Sequence, residues 1–323
     1  MTASFVSVHG RRLGIAPNGL VMDGRLIGGS TPTGLGRGLT WYVDSAIDGT
    51  DGSSPDTALG TLDEAFAKCT ESQGDVIVVM PNHAETITGA GGIAHDVAGV
   101  SVIGLGVGNQ RPRFLMDAGT TVTYLISAAD AYVENLVFAA GHADIVTCIG
   151  ISTGVGATIK NCEFNDNVAG ENFLSCITST GAANTADLLT VKGCFFYSAD
   201  AAALGFIMLT DDVAGALVTD NVVVTEGTGL ATLITCATGK DLKGVRVMWN
   251  SLSSKATAGN LFISNDTASP NNSGIIAYNN CGHADVTGAH AMGAVGGCRF
   301  FENRSVSTDA LSGLLLPAAD VDL

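Results

Sequence analysis

A chain of 323 residues is ample for a large core, yet only 14% of this one is charged and 6% aromatic, against 46% hydrophobic residues and 42 glycines. Its 31 acids and 15 bases give a net charge of −16. That balance argues against nucleic-acid binding by the body of the protein, because phosphate recognition draws on clustered Lys and Arg. No run approaches the roughly 20 apolar residues of a membrane-crossing helix, and Met1–Phe5 lacks the charged start and apolar core of a signal peptide.

Residues 1–40 are broken by glycines and carry Arg11, Arg12, Arg25 and Arg37 against the single acid Asp23, so this segment is +3 and the remainder −19. Pro17-Asn18-Gly19 is a turn between short apolar pieces. The segment is expected to be an extended N-terminal arm that orders against a partner, with the four arginines as its partner-binding residues.

The body, residues 41–307, opens on the strand signal Thr40-Trp41-Tyr42-Val43-Asp44. A polar loop runs to Pro55. In Thr61–Cys69, Thr61 and Glu64 form a capping box, and Leu62, Ala65, Phe66 and Cys69 share one helical face. This predicts an amphipathic α-helix that plugs the first coil. Gly74–Met80 is the next strand, closed by Pro81-Asn82.

Trp41-Tyr42-Val43-Asp44, the loop ending at Pro55, Thr61-Leu62-Asp63-Glu64-Ala65 and Gly74-Asp75-Val76-Ile77 together resemble the opening of pectate-lyase-like right-handed β-helices, many of them carried by tailed phages. The close likeness covers residues 41–80. It implies the fold more than any activity, because that family includes lyases, tailspikes, fibres and capsid decoration proteins.

From residue 133 the chain repeats one phrase: an apolar strand, then Asn or Gly, then a second apolar run. The pivots fall at Asn135, Asn161, Gly193, Asn221, Asn250, Asn279 and Asn303, at intervals of 26, 32, 28, 29, 29 and 24. Asn and Gly tolerate the left-handed backbone that bends a strand without ending it. A second apolar series, from Tyr124-Leu125-Ile126 to Leu261-Phe262-Ile263, lies between the pivots. About three short strands per period, with no room for a helix, predict an all-β solenoid: a parallel β-helix, with a β-sandwich as the alternative. In this register Leu136, Cys162, Cys194 and Val222 form one inward stack, and Phe138, Phe164, Phe196 and Val224 another. After Ser307 the pattern stops, and the apolar tail 308–323 is expected to cover the last coil or a neighbouring subunit.

The eight cysteines contain no CxxC. They are expected to be reduced core residues of a protein made in a cytoplasm.

Glycoside hydrolysis needs two carboxylates about 5–9.5 Å apart across one cleft. Glu134 precedes its Asn by one position and Glu163 follows its Asn by two, so the two do not stack. Asp220 and the neighbours Asp211 and Asp212 read as solvated turn residues. Lys160 and Lys192 share a register, without an acidic ladder beside them. Lys240, Lys243 and Arg246 are further cations of the repeats. His83, His95, His142, His283 and His290 form no HxH or HxxxH pattern and read as surface or capping residues. With Trp249 as the sole Trp in the repeats, sugar platforms are few. No catalytic residue, metal ligand or cofactor is expected.

Joined to the resemblance, these features imply a tailed-phage virion protein. The expected form is a homotrimeric capsid decoration (cement) protein, made in the bacterial cytoplasm and bound to the major capsid protein on the capsid surface. It would have neither nucleic-acid nor membrane partners. The alternative is a tailspike polysaccharide depolymerase or receptor-binding fibre, and only that reading adds a carbohydrate partner.

Overall fold

The structure, a computed structural model, describes residues 4–8, 11–16, 19–22, 25–27, 38–166, 168, 170–227, 232–255, 263–264, 272–283, 297–307 and 313–314. The body is a right-handed parallel β-helix whose coils each supply one strand to each of three sheets. Sheet I has ten strands, from Thr40–Val43 and Val76–Val79 to Cys298–Phe301. Sheet II runs through nine parallel strands from Ala84–Ile87 to Arg304–Ser307, and Gly313–Leu314 from the tail adds an antiparallel tenth. Sheet III has seven, from Ile93–His95 to Ile263–Ser264. The rest of the tail lies outside the described residues.

In the first coil a helix takes the place of the strands of sheets II and III. It spans Leu62–Phe66, shorter than expected. Thr61 Oγ1 accepts from Glu64 N and the capping box is complete. It ends early because Lys68 N and Cys69 N bond to carbonyls only three residues back, which tightens the last turn. Leu62, Ala65 and Phe66 are buried, and the Phe66 ring lies 4.6 Å from that of His95 on the end strand of sheet III. The Glu85 carboxylate, at the end of the inner row of sheet II, accepts from Leu62 N. The helix thus covers the open end of the first coils, where bare strand edges and core would otherwise meet water.

The inner rows are in register from coil to coil. Phe114, Phe138, Phe164 and Phe196 are paired in sheet II and fully buried. Phe138 and Phe164 stack at 5.5 Å and 14°, and Phe206 meets Phe164 edge-on and Phe196 face-on. The next member of the row is Val223, not Val224, while Val222 is 40% exposed. The expected register therefore slips by one residue in this coil. The left-handed residue is Asp220 (φ 59°), not Asn221. A shift of one position exchanges the two faces of a strand, because side chains alternate with period two.

The same holds in every later coil. Asn135, Asn161 and Gly193 do adopt positive φ, but thereafter the left-handed residues are Asp220, Trp249, Tyr278 and Glu302. The asparagines that follow them, Asn221, Asn250, Asn279 and Asn303, turn inward into the slot that Leu136, Cys162 and Cys194 fill in earlier coils. They form a ladder. Each of Asn221, Asn250 and Asn279 donates both its backbone N–H and its side-chain Nδ2 to the Oδ1 of the next asparagine, at 2.7–3.2 Å. Each ladder Nδ2 also donates to a backbone carbonyl, such as Val218 O for Asn250. Buried amides are tolerated here because every one is bonded.

Residues 4–27 differ from the expected extended arm. They form four short antiparallel strands, Ser4–Val8, Arg11–Ala16, Gly19–Met22 and Arg25–Ile27, which pair in sequence order. Two-residue gaps between alternating apolar pieces are hairpin spacing, which explains the meander. Arg11, Arg12 and Arg25 lie on these strands, and Arg37 lies outside the described residues.

All eight cysteines are free thiols, seven of them buried. Burial pushes Cys69, Cys236 and Cys281 up to about 12 and Cys298 to about 11, so these are protonated at neutral pH. They behave as small core residues.

Candidate functional site at the corner between sheets I and II

The left-handed residues point their side chains outward along one edge of the solenoid, between sheets I and II. On the outer face of sheet I beside them, Glu134, Lys160 and Lys192 occupy the same register in successive coils. Lys160 Nζ lies 2.8 Å from Glu134 Oε1. Tyr132 OH donates to Glu134 Oε2 at 2.6 Å, and Asn161 Nδ2 donates to Oε1 at 3.0 Å. Burial alone would raise the Glu134 carboxyl, but the bonds from Lys160, Tyr132 and Asn161 outweigh it and hold the group below its ordinary value. Across the corner Arg111 donates to Glu163 Oε2 and to Leu136 O, both at 3.0 Å, and Asn165 donates to Glu163 Oε1. Lys192 sits 3.8 Å from Asp220. Glu134 lies on sheet I and Glu163 on sheet II, as their different registers imply. Asp211 is likewise held by Lys240 at 2.8 Å. These carboxylates tie neighbouring coils together.

Two carboxyls are raised chiefly by burial, Asp63 and Asp166. Asp63 is on the capping helix of the first coil and Asp166 ends the fifth strand position along the solenoid. At about 4.8 Å per coil they stand roughly 19 Å apart along the axis. That is too far for a glycosidase pair, which spans about 5–9.5 Å.

Towards the C-terminal coils the corner turns aromatic. The rings of Trp249 and Tyr278 stack at 5.8 Å and 8°, with 55% and 45% of each residue exposed. Both hold φ near +55°, which is costly for bulky residues. Phe301 is exposed beside them on sheet I. Arg246, Arg299 and Arg304 flank the group, and among the described residues no acid lies within ion-pair distance of them. Arg246 and Arg299 share one outer row, separated by Ile275. Reading the sequence as isolated pivots missed this cluster. The available signal was an aromatic-Asn dipeptide, Trp249-Asn250 and Tyr278-Asn279, recurring at 29 residues.

His83 and His95 are buried, not surface residues. Each has both ring nitrogens engaged, which is what makes burial affordable. His83 Nδ1 accepts from Ser45 N, and Nε2 faces Glu85 at 3.2 Å. His95 Nδ1 accepts from Tyr124 OH at 3.0 Å, and Nε2 donates to Val100 O at 3.2 Å. Desolvation, only partly opposed by the Val100 bond, lowers His95 from 6.5 to about 4. Its neutral form therefore contributes stability that is complete above pH 6.5 and is lost as pH falls towards 4. The loss is expected to reach about 3 kcal/mol. The check is urea unfolding of wild type and His95→Gln at pH 7 and pH 4, where the difference between the two should shrink by that amount. An unchanged difference would mean that His95 titrates normally.

His142 is exposed; the His283 side chain and His290 lie outside the described residues, among which no group of three or more His, Cys, Asp or Glu is placed to hold a metal ion. Among the described residues no helix is long and apolar enough to cross a membrane.

No protein-family model matches this chain, and no curated protein matches its sequence. Two solved structures are distantly similar. A rhamnogalacturonan lyase shares 12% identity with a TM-score of 0.41, covering 83% of this chain and 74% of the lyase. The ORF18 protein of Geobacillus virus E2 shares 11% identity with a TM-score of 0.39, covering 93% of this chain and 68% of that protein. Neither likeness bears on activity.

Proposed function

We propose that this chain is a structural protein of a tailed-phage particle, assembling side by side as a homotrimer and decorating the capsid by binding across the major capsid protein. The observation that carries this reading is the state of the corner carboxylates. Glu134, Glu163 and Asp220 at the corner, and Asp211 on the segment between sheets III and I, are each paired with a cation. Such pairs brace a surface; a glycosidase instead needs one facing carboxyl kept protonated. The resemblance of residues 41–80 to phage-borne β-helices supplies the setting, and the low charge of the chain suits faces covered by partners. Many weak contacts over a shell add through avidity.

The basic segment 1–40 is the anchor in this reading. A chain lacking residues 1–40 should keep the fold of the body, since the helix Leu62–Phe66 stays in place. Its retention on purified phage shells should fall at least about tenfold in a co-sedimentation assay. Neutralising Arg11 and Arg12 should weaken retention as raised salt does. A truncated chain held as tightly as the full one would remove the anchoring role.

A second reading, a glycan-binding tailspike, draws on the exposed parallel rings of Trp249 and Tyr278. Release of product from acidic or neutral polysaccharides, abolished by Glu163→Gln, would put that reading first.

A further inference from the structure

We propose that the corner around Trp249 and Tyr278 docks onto the edge between sheets II and III of a second copy of this chain. The proposal rests on the reading that the chain assembles side by side, and it names the two surfaces that meet.

The first surface is the aromatic and basic end of the corner. Trp249, Tyr278, Phe301, Ile275, Val222 and Phe195 are each 37–55% exposed and lie on neighbouring rows of five successive coils. Together they leave on the order of 500 Å² of apolar surface open, more than scattered surface residues leave. A standard interface takes about 800 Å² from each partner, somewhat over half of it apolar, so this patch is the right size for its core. Its composition also fits, because Trp, Tyr and Arg dominate binding hot spots. Arg246, Arg299 and Arg304 ring the patch, with Glu302 and the Lys192-paired Asp220 as the acids against them among the described residues. A locally basic, aromatic surface on a chain of net charge −16 selects an acidic partner.

The second surface is the edge between sheets II and III. Its linking segments carry one acid in each of five successive coils, Asp117, Asp144, Glu171, Asp200 and Glu226, the last of them paired with Lys255 of the next coil. Between Asp117 and Ala231 these linkers contain no Lys or Arg. Coils repeat at about 4.8 Å, so Arg246 and Arg299, two coils apart, stand roughly 10 Å from each other along the axis. Asp144 and Asp200 are also two coils apart and have the same spacing.

These surfaces decide the symmetry. The basic corner cannot face its own copy without opposing arginines, so a two-fold contact is disfavoured. Arg246 and Arg299 sit four coils, roughly 19 Å, further along the solenoid than Asp144 and Asp200, so a head-to-tail contact between these unlike edges closes into a ring only with the solenoids tilted to the ring axis, and otherwise climbs as a filament. Both edges bound sheet II, so closure turns the outer face of that sheet towards the ring axis, while Phe195 and Val222, the first residues of their strands beside the corner, stay within the contact.

The test is sedimentation velocity on the full chain at low micromolar concentration. Wild type should be assembled, and assembly should weaken between about 0.05 and about 0.5 M salt. Arg246→Glu with Arg299→Glu, and separately Trp249→Ala, should weaken self-association at least about tenfold without lowering the melting temperature, because all three residues are exposed. Adding Asp144→Lys and Asp200→Lys to the arginine variant should restore assembly to within a few-fold of wild type. A wild-type monomer, arginine variants that assemble normally, or charge swaps that restore nothing would each overturn the proposal. Shell retention is scored separately. Loss of retention in Trp249→Ala with self-association intact would assign the patch to the shell, overturning this inference while leaving the particle reading in place.

Discussion

Asn250→Leu is expected to destabilise the body by about 4 kcal/mol, because it breaks the middle of a buried amide ladder. Volume is not the reason, since Leu136 occupies the equivalent slot in an earlier coil and is fully buried there. The loss comes from partners left unbonded. Asn250 Oδ1 accepts from Asn221 N and Asn221 Nδ2, and its Nδ2 donates to Val218 O, Met248 O and Asn279 Oδ1. Each buried group so orphaned costs about 1–3 kcal/mol, and some recover through small shifts. Asn303, at the end of the ladder, has an asparagine on one side only. Asn303→Leu should therefore cost roughly half as much. Urea midpoints of the two variants measure the difference. Equal losses, or no loss in Asn250→Leu, would show that the slot needs only bulk.

Phe164→Ala should cost about 3–5 kcal/mol. Phe164 is fully buried, stacked face to face on Phe138 and met edge-on by Phe206. Its neighbours along the row are held in register by strand pairing on both sides, so the walls cannot close over the gap. The lost transfer energy and the cavity therefore add. Exposed Phe195, one residue before Phe196 and opposite in facing, provides the contrast. Phe195→Ala should change stability by less than about 1 kcal/mol. If both substitutions cost the same, the inward row is misassigned.

Much of the fold was legible in order of residues alone. The period between pivots required coils of short strands, and Thr61 with Glu64 announced the capping helix, because both signals are local. The inward placement of Phe138, Phe164 and Phe196 followed from strands whose left-handed residue is the Asn or Gly itself. From Asp220 onward the same marker misled. An Asn suits a left-handed bend, and it equally suits a buried slot when another Asn lies one coil away to bond with it. Neighbouring residues cannot distinguish these roles, because the deciding partner is 24–29 positions distant in the chain. The N-terminal meander was missed for a related reason: its short apolar pieces are too weak individually to signal strands until they pair.

By itself, then, the sequence determined a stack of short strands with an all-β body, a helical plug and an acidic charge balance. Only the tertiary structure decided which face each later strand buries, how the carboxylates pair with cations of adjacent coils, and that Trp249 and Tyr278 share one edge with Arg246, Arg299 and Arg304. The physical reason is that side-chain facing alternates every residue and is set wherever the backbone bends. One position of ambiguity at a bend reverses a whole strand, and contacts between coils depend on a register that the varying coil length hides.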